Sequence, residues 1–204
     1  QIMNKEQLKA KYGNEKVLVV PFDKLIHIGD GFTPIQHNKE LWKQFDSDIF
    51  AYRYDVEGEP SVQQIIPYIL LFNKNKDKIY STRRINGDHR LLNKISIACG
   101  GHIDSSDAGQ EVLFKAATRE LMEEATVTPI EPFNIIGYVR EMDSNTNDHT
   151  GVVITVIVDD EVIINEKDTL VGEWMDKKEL INHYNQLENW SKFILDYLIE
   201  NNKI

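Results

Sequence analysis

A single cysteine, Cys99, stands among 204 residues, so no intrachain disulfide can hold the fold together. Long apolar runs are missing too: no stretch approaches the roughly 18 consecutive apolar residues that mark a membrane span. Glycine and proline are sparse, at 11 and 6 residues, and no Pro/Gly/Ser-rich linker, repeat or low-complexity tract divides the chain. Positive charge is in deficit, with 23 Lys and Arg against 33 Asp and Glu and a net charge of −10. That balance argues against a general nucleic-acid or membrane-surface binder, because both need a positive surface. The first residues lack the apolar run of a signal peptide, which predicts a cytoplasmic protein. What is present is 41% hydrophobic residues, enough for a buried core in one large domain or one domain with an appendage.

The charge is unevenly placed. Residues 74–94 carry Lys74, Lys76, Lys78, Arg83, Arg84, Arg90 and Lys94 against only Asp77 and Asp88. Residues 95–130 and 131–177 are acidic. A basic segment followed by acidic ones supplies what a site for a metal-bound anion needs, cations for the anion and carboxylates for the metal.

Apolar patterning predicts an α+β chain. Val17–Val20 and Phe50–Tyr54 are β-prone, with a helical pattern near Asn38–Gln44 between them, and residues 1–60 are expected to form an N-terminal extension or small subdomain. The almost continuously apolar Ile65–Phe72 reads as a strand covered on both faces, joined through a Lys74–Lys78 turn to a strand at Ile79–Arg83. Leu92–Cys99 reads as a further strand ending in Gly100-Gly101, Glu111–Glu124 as a helix, and Phe133–Val139 and Val152–Val158 as strands around a polar loop at Asp143–Thr150. Leu187, Trp190, Ile194, Tyr197 and Leu198 recur at helical spacing, which predicts a closing amphipathic helix. The aromatic Phe50, Tyr52 and Tyr54 offer spare apolar surface, on which a homodimer is expected.

Chemistry concentrates between Gly100 and Val127. Asp107 and Gln110 have capping-box spacing and predict a helix start just before Glu111. At 100° per residue, Glu120, Glu123 and Glu124 share one face of that helix, and Phe114, Leu121 and Ala125 turn away from it. Carboxylates at i, i+3 and i+4 repel one another by a few tenths of a kcal/mol per pair. In the last turns they also oppose the helix dipole, which favours cations there by roughly 0.3–1 kcal/mol each. A hard divalent cation such as Mg²⁺, with oxygen ligands, relieves both costs.

The run Glu111, seven residues, Arg119-Glu120-Leu121-Met122-Glu123-Glu124, with Val127 at the final aliphatic position, resembles the signature of the Nudix hydrolases. Two departures stand out: Gly101 lies ten positions before Glu111 rather than six, so the loop carries four extra residues, and Thr126 occupies the place of the terminal glycine. The resemblance spans about residues 63 to 176, with Gly172-Glu173-Trp174 similar to a late segment in which the tryptophan packs. It implies an α/β/α sandwich with a mixed central sheet in residues 61–204, flanked by the N-terminal extension and the C-terminal helix. It implies metal ligation by Glu120, Glu123 and Glu124 with the carbonyl of Gly100, and an Arg119–Glu111 pair in which Arg119 orients Glu120.

By the same resemblance the reaction is attack of a metal-activated water on a phosphorus of a small diphosphate, usually a nucleoside diphosphate derivative, with Mg²⁺ or Mn²⁺ as cofactor. The general base varies within such enzymes, and spacing nominates Glu166, Asp168 or Glu173. Arg83, Arg84 and Arg90 are the nominees for phosphate contacts, and the His149 loop for the attached group. Two other readings fit the scaffold: a nucleotide-sensing module without turnover, and an enzyme resembling isopentenyl-diphosphate isomerases, which Cys99 invites. The intact set of three helix glutamates with Arg119 and Glu111 favours the hydrolase.

Overall fold

The computed structural model describes residues 2–37, 41, 43 and 49–204; the helical pattern expected near Asn38–Gln44 lies outside them. The chain opens with Lys5–Tyr12 (α1), started by an Asn4 cap whose side chain accepts from the Gln7 amide. Lys16–Pro21 (β1), Gly31–Pro34 (β2), Phe50–Tyr52 (β3) and the single turn Arg53–Val56 (α2) follow. Then come Val62–Phe72 (β4), Lys78–Arg84 (β5), the short Ile95–Ser96 (β6) and Cys99–Gly100 (β7), and the helix Val112–Glu124 (α3). Ala125–Thr126 (β8), Asn134–Arg140 (β9), His149–Ile157 (β10), Ile163–Ile164 (β11), Leu170–Asp176 (β12), Lys177–Asn182 (α4) and Asn189–Glu200 (α5) complete it.

One mixed sheet organises these elements in the order β12-β5-β4-β10-β9-β2. β4 and β10 run parallel along nine residue pairs, from Gln64 beside His149 to Phe72 beside Ile157. All ten residues after Val62 in β4 are buried, as an apolar strand with both faces covered must be. Alternation divides its side chains between two cores. Ile65, Ile69 and Leu71 pack beneath α3 with Val112, Leu113, Ala116, Ala117 and Leu121. Tyr68, Leu70 and Phe72 pack beneath α5 with Ile194, Leu195 and Leu198. The result is the α/β/α sandwich.

The N-terminal strands do not stand apart. β1 pairs antiparallel with β4, β3 with β1, and β2 with β9, while Leu18, Val20, Leu25 and Ile28 belong to the core under α3. Arg140, 1% exposed, bonds the carbonyls of Leu25 and Ile28 and the hydroxyl of Thr150 at 3.3, 3.2 and 3.0 Å. The aromatic surface expected to be spare is partly engaged within the chain and remains half-exposed: Tyr52 and Tyr54 stack at 5.2 Å, with Lys16 over Tyr52 and Lys9 over Tyr54.

Other expectations need correction. Leu92–Cys99 is not one strand: it splits into β6, bonded to β5, and β7, bonded to β4, because β4 and β5 splay apart after the Phe72–Ile79 pair. The capping box is Asp104 with Asp107, and it opens a short 3-10 turn at Ser105–Asp107 rather than the long helix. α3 begins one step later behind Glu111, which sits in left-handed conformation with φ 53°, reached through Gly109 with φ 111°. At the other end Ala125 is extended, and the chain passes directly into β8, paired with β11. No left-handed residue ends α3, so threonine serves at 126 where the family pattern has glycine.

Candidate active site

β7 brings Gly100-Gly101 across the open end of the sheet, onto α3. A side chain at either glycine would collide with what the site needs. A Cβ on Gly101 would lie 2.3 Å from the carboxyl carbon of Glu120, and one on Gly100 would lie 2.8 Å from the Pro67 carbonyl oxygen. Absence of side chains thus lets the loop backbone rest against the Glu120 carboxylate.

Arg119 fixes the other side. Its Nε and Nη2 donate to the two oxygens of Asp107 at 3.0 and 2.7 Å, Nη2 donates to the His102 carbonyl at 3.0 Å, and Nη1 reaches Glu120 at 3.0 Å and Glu123 at 3.3 Å. Asp107 is 5% exposed in its side chain, so the fork-to-fork pair is well shielded. These carboxylates hold the guanidinium pKa above its ordinary value, Asp107 foremost. The partner anticipated for Arg119 was Glu111. Glu111 instead is exposed at the helix start, and the four extra loop residues place Asp107 where a carboxylate meets the guanidinium.

Glu124 is the most buried of the three helix glutamates. Burial first, then the negative charge of Glu166, pushes its carboxyl up to about 7, against a hydrogen bond with Cys99. Burial likewise raises Glu120, although Arg119 opposes the shift. Cys99 is buried, and burial with the charges of Glu124 and Glu120 holds its thiol well above the ordinary range. A thiol so protonated is a small buried hydrophobe, not a poised nucleophile.

Beside these groups opens a cavity of about 510 Å³. Its floor and walls include Gly100, Gly101, His102 and Glu124, the cations Arg84 and Lys94, the aromatic Tyr68 and Trp190, and His149. Tyr68 and Trp190 meet edge to face at 5.4 Å, and the Trp190 indole nitrogen is buried with no hydrogen-bond partner. Glu188, contributed by the residue just before α5, also lines the cavity. The Tyr68 hydroxyl donates to its Oε1, and the Ser96 hydroxyl lies 2.9 Å from the same atom. Burial raises its carboxyl pKa, against those hydrogen bonds.

The structure therefore brings Gly100, Glu124 and Arg84 to one cavity and ties Arg119 to Glu120 and Glu123 beside it, with Glu166 near enough to act on Glu124 electrostatically. It does not gather the rest. Arg83 and Arg84 are successive strand residues and point to opposite faces, so only Arg84 lines the cavity. Arg90 is exposed and held by Asp88 at 2.9 Å. Asp168 is exposed in the turn after Glu166, and Glu173 is exposed on β12 opposite Ser81. Within that segment Trp174 does pack, edge to face with Tyr80 at 5.2 Å. Lys94, Tyr68, Glu188 and Trp190 went unnominated; of these only Lys94 carried a signal, as a member of the basic segment.

The donor set fits a hard divalent cation. Asp107, Glu120 and Glu123 share the one guanidinium of Arg119, and Glu124 adds a further carboxylate beside them, so negative charge is in excess.

A family model of the NUDIX domain matches residues 63–197, and the chain belongs to that family. Protein YmaB of Bacillus subtilis (strain 168) is 31% identical over 158 residues, covering 72% of this chain and 76% of that protein. The crystal structure of Tm1382 superposes with a TM-score of 0.78 at 23% identity over 92% of this chain and all of that one. A bifunctional NMN adenylyltransferase/ADP ribose pyrophosphatase from Francisella tularensis, solved with AMP and a Mn ion, matches with a TM-score of 0.51 at 15% identity, over 68% of this chain and 42% of that one. Among the described residues no helix is long and apolar enough to cross a membrane.

Proposed function

We propose that this protein hydrolyses the diphosphate linkage of a small nucleoside diphosphate derivative in the cytoplasm, with Mg²⁺ or Mn²⁺ held by Glu120, Glu123 and Glu124 and the carbonyl of Gly100. The observation that carries the reading is convergence: Glu120 lies against Gly101, and Glu124 lines with Gly100 and Gly101 a cavity that also presents Arg84, Lys94 and an aromatic corner. The Francisella structure, which shares the fold, was solved with AMP and a Mn ion, a nucleotide and a divalent cation of the kind proposed here.

The divalent ion, when bound, lowers the pKa of water and offsets the charge that develops on phosphorus oxygens. The chain's own residues do the rest. Asp107 anchors Arg119, which keeps Glu120 and Glu123 from separating, so their oxygens are set in place before any ligand arrives. Arg84 and Lys94 neutralise the non-reacting phosphate oxygens. Tyr68 and Trp190 offer ring faces and edges to a nucleobase. Glu166 serves as the base: it stands close enough to Glu124 to raise its pKa and is exposed, so a proton it accepts leaves to solvent.

A panel of nucleotide sugars, dinucleotides and nucleoside triphosphates, incubated with protein and millimolar Mg²⁺ or Mn²⁺, tests this. At least one should release phosphate-containing products, and Glu123→Gln should stop the release while melting like the parent. Full turnover by that variant would remove the metal assignment; nucleotide binding without turnover of any member would favour the sensing module.

A further inference from the structure

Apart from the α3 carboxylates, a second group of donors includes His102 and His149, which line the cavity, with Glu57 beside them. Glu57 follows α2, His102 follows the glycine pair and His149 opens β10, and one ligand atom from each lies within 4.8 Å of the others. We propose that Glu57, His102 and His149 form a site for a divalent ion of borderline softness, Zn²⁺ in type, distinct from the hard-ion site on α3.

The tautomers supply the first argument. His149 Nδ1 is 2.7 Å from Asp148 Oδ1, which accepts its proton and leaves Nε2 as a lone pair facing inward. His102 Nε2 sits 3.3 Å from that lone pair and 2.7 Å from the Gln64 amide oxygen. Two imidazole nitrogens thus converge, and the one proton on His102 Nε2 is shared between the Gln64 amide oxygen and His149 Nε2. An ion replaces that proton, and His102 then carries its hydrogen on Nδ1.

Geometry supplies the second. Zn–N bonds of about 2.0–2.1 Å spanning a 3.3 Å separation subtend roughly 104–111°, close to the tetrahedral value. Ligands at that angle stand about 3.4 Å apart, so Glu57 has at most about 1.4 Å to travel, within reach of a small side-chain rotation. The surroundings match in kind. Asp148, 3% exposed in its side chain, orients His149 and is itself held by the Gly58 amide at 2.9 Å and by Gln64 Nε2 at 3.2 Å, the carboxylate–histidine half of a carboxylate–histidine–metal arrangement. Asp148 and Glu57 together balance the two charges of the ion, while Arg53, the nearest cation, keeps Glu15 as a second partner at 3.3 Å. Two imidazoles also select against Mg²⁺, which prefers oxygen, and in favour of Zn²⁺ or Co²⁺.

Cobalt serves as the probe. The full chain, stripped with chelator and returned to buffer with excess Mg²⁺ to fill the α3 carboxylates, is titrated with Co²⁺. The expected result is the visible absorption of four- or five-coordinate cobalt, saturating at one equivalent, bleached by Zn²⁺, retained in Glu123→Gln and weakened at least tenfold in affinity in His149→Gln. In the parent protein, two hyperfine-shifted imidazole N–H resonances, lost in D₂O, should appear with the colour; this reading needs no variant and stands if His149→Gln fails to fold. Absence of the band, fewer than two shifted resonances, unchanged affinity in a folded His149→Gln, or loss of the band in Glu123→Gln would each overturn the proposal.

Discussion

Replacing Glu124 by glutamine isolates the strain that the carboxylate imposes on the metal-free fold. In the folded chain its carboxyl is pushed up to about 7 by burial and by Glu166, whereas in the unfolded chain it titrates near 4.5. Between those values the folded state keeps a proton that the unfolded state releases, so stability falls as pH rises from about 4.5 through 7 and is intact below that window. At ~1.36 kcal/mol per pH unit, the difference of about 2.5 is worth roughly 3 kcal/mol. Glutamine keeps the shape and the contact with Cys99 without the charge. In EDTA, therefore, parent and Glu124→Gln should be about equally stable at pH 4.5, and the variant should gain on the parent by roughly 3 kcal/mol at pH 8. For a chain of this size that is a relative melting shift of roughly 6–12 °C. Glu188, which does not interact with Glu124, titrates in both proteins and cancels. Mg²⁺ at pH 8 should then raise the melting temperature of the parent and leave the variant nearly unmoved. Melting curves of the two proteins that stay parallel from pH 4.5 to 8 would refute the burial argument.

Three further outcomes follow from contacts described above. Gly101→Ala pushes a methyl into the Glu120 carboxylate, so turnover should fall more than tenfold and the Mg²⁺ requirement rise, measured as activity against metal concentration. Asp107→Ala leaves Arg119 without its main partner and should cost about 2 kcal/mol in chemical denaturation, the quarter exposure of Arg119 reducing the usual buried-pair penalty; Glu111→Gln should stay within about 0.5 kcal/mol. Arg84→Met should raise KM severalfold on the substrate that the panel identifies, and Arg83→Met should leave it unchanged, since only Arg84 lines the cavity.

Legibility in the sequence tracked the range of the interactions. α3 and α5 were readable because each carries its apolar stripe within a dozen residues, and β4 because it is apolar throughout. β2 was not, since Gly-Phe-Thr-Pro has neither alternation nor length and is a strand only because β9 pairs with it. β12 hid in a segment of mixed polarity for the same reason, its pairing partner β5 lying about ninety positions earlier. The helix glutamates were legible through their spacing, but the Arg119–Asp107 pair was not: the additional loop residues form a turn whose course no spacing rule supplies. Glu188 is separated by more than sixty positions from α3, and nothing local marks a glutamate before an amphipathic helix as a cavity wall.

Arg140 gives the N-terminal strands a significance of another order. Its guanidinium, lowered by burial to about 10, ties two carbonyls of the turn after β1 to β10 through Thr150. Cutting the chain at residue 62 to obtain the segment that carries the family signature would strip those acceptors from a charge sealed in the interior and expose the backbone edges of β4 and β9 at once. The segment that carries the signature and its preface thus fold as one unit: a polypeptide beginning at the signature should aggregate, and a soluble shortening should retain β1, β2 and the turn between them.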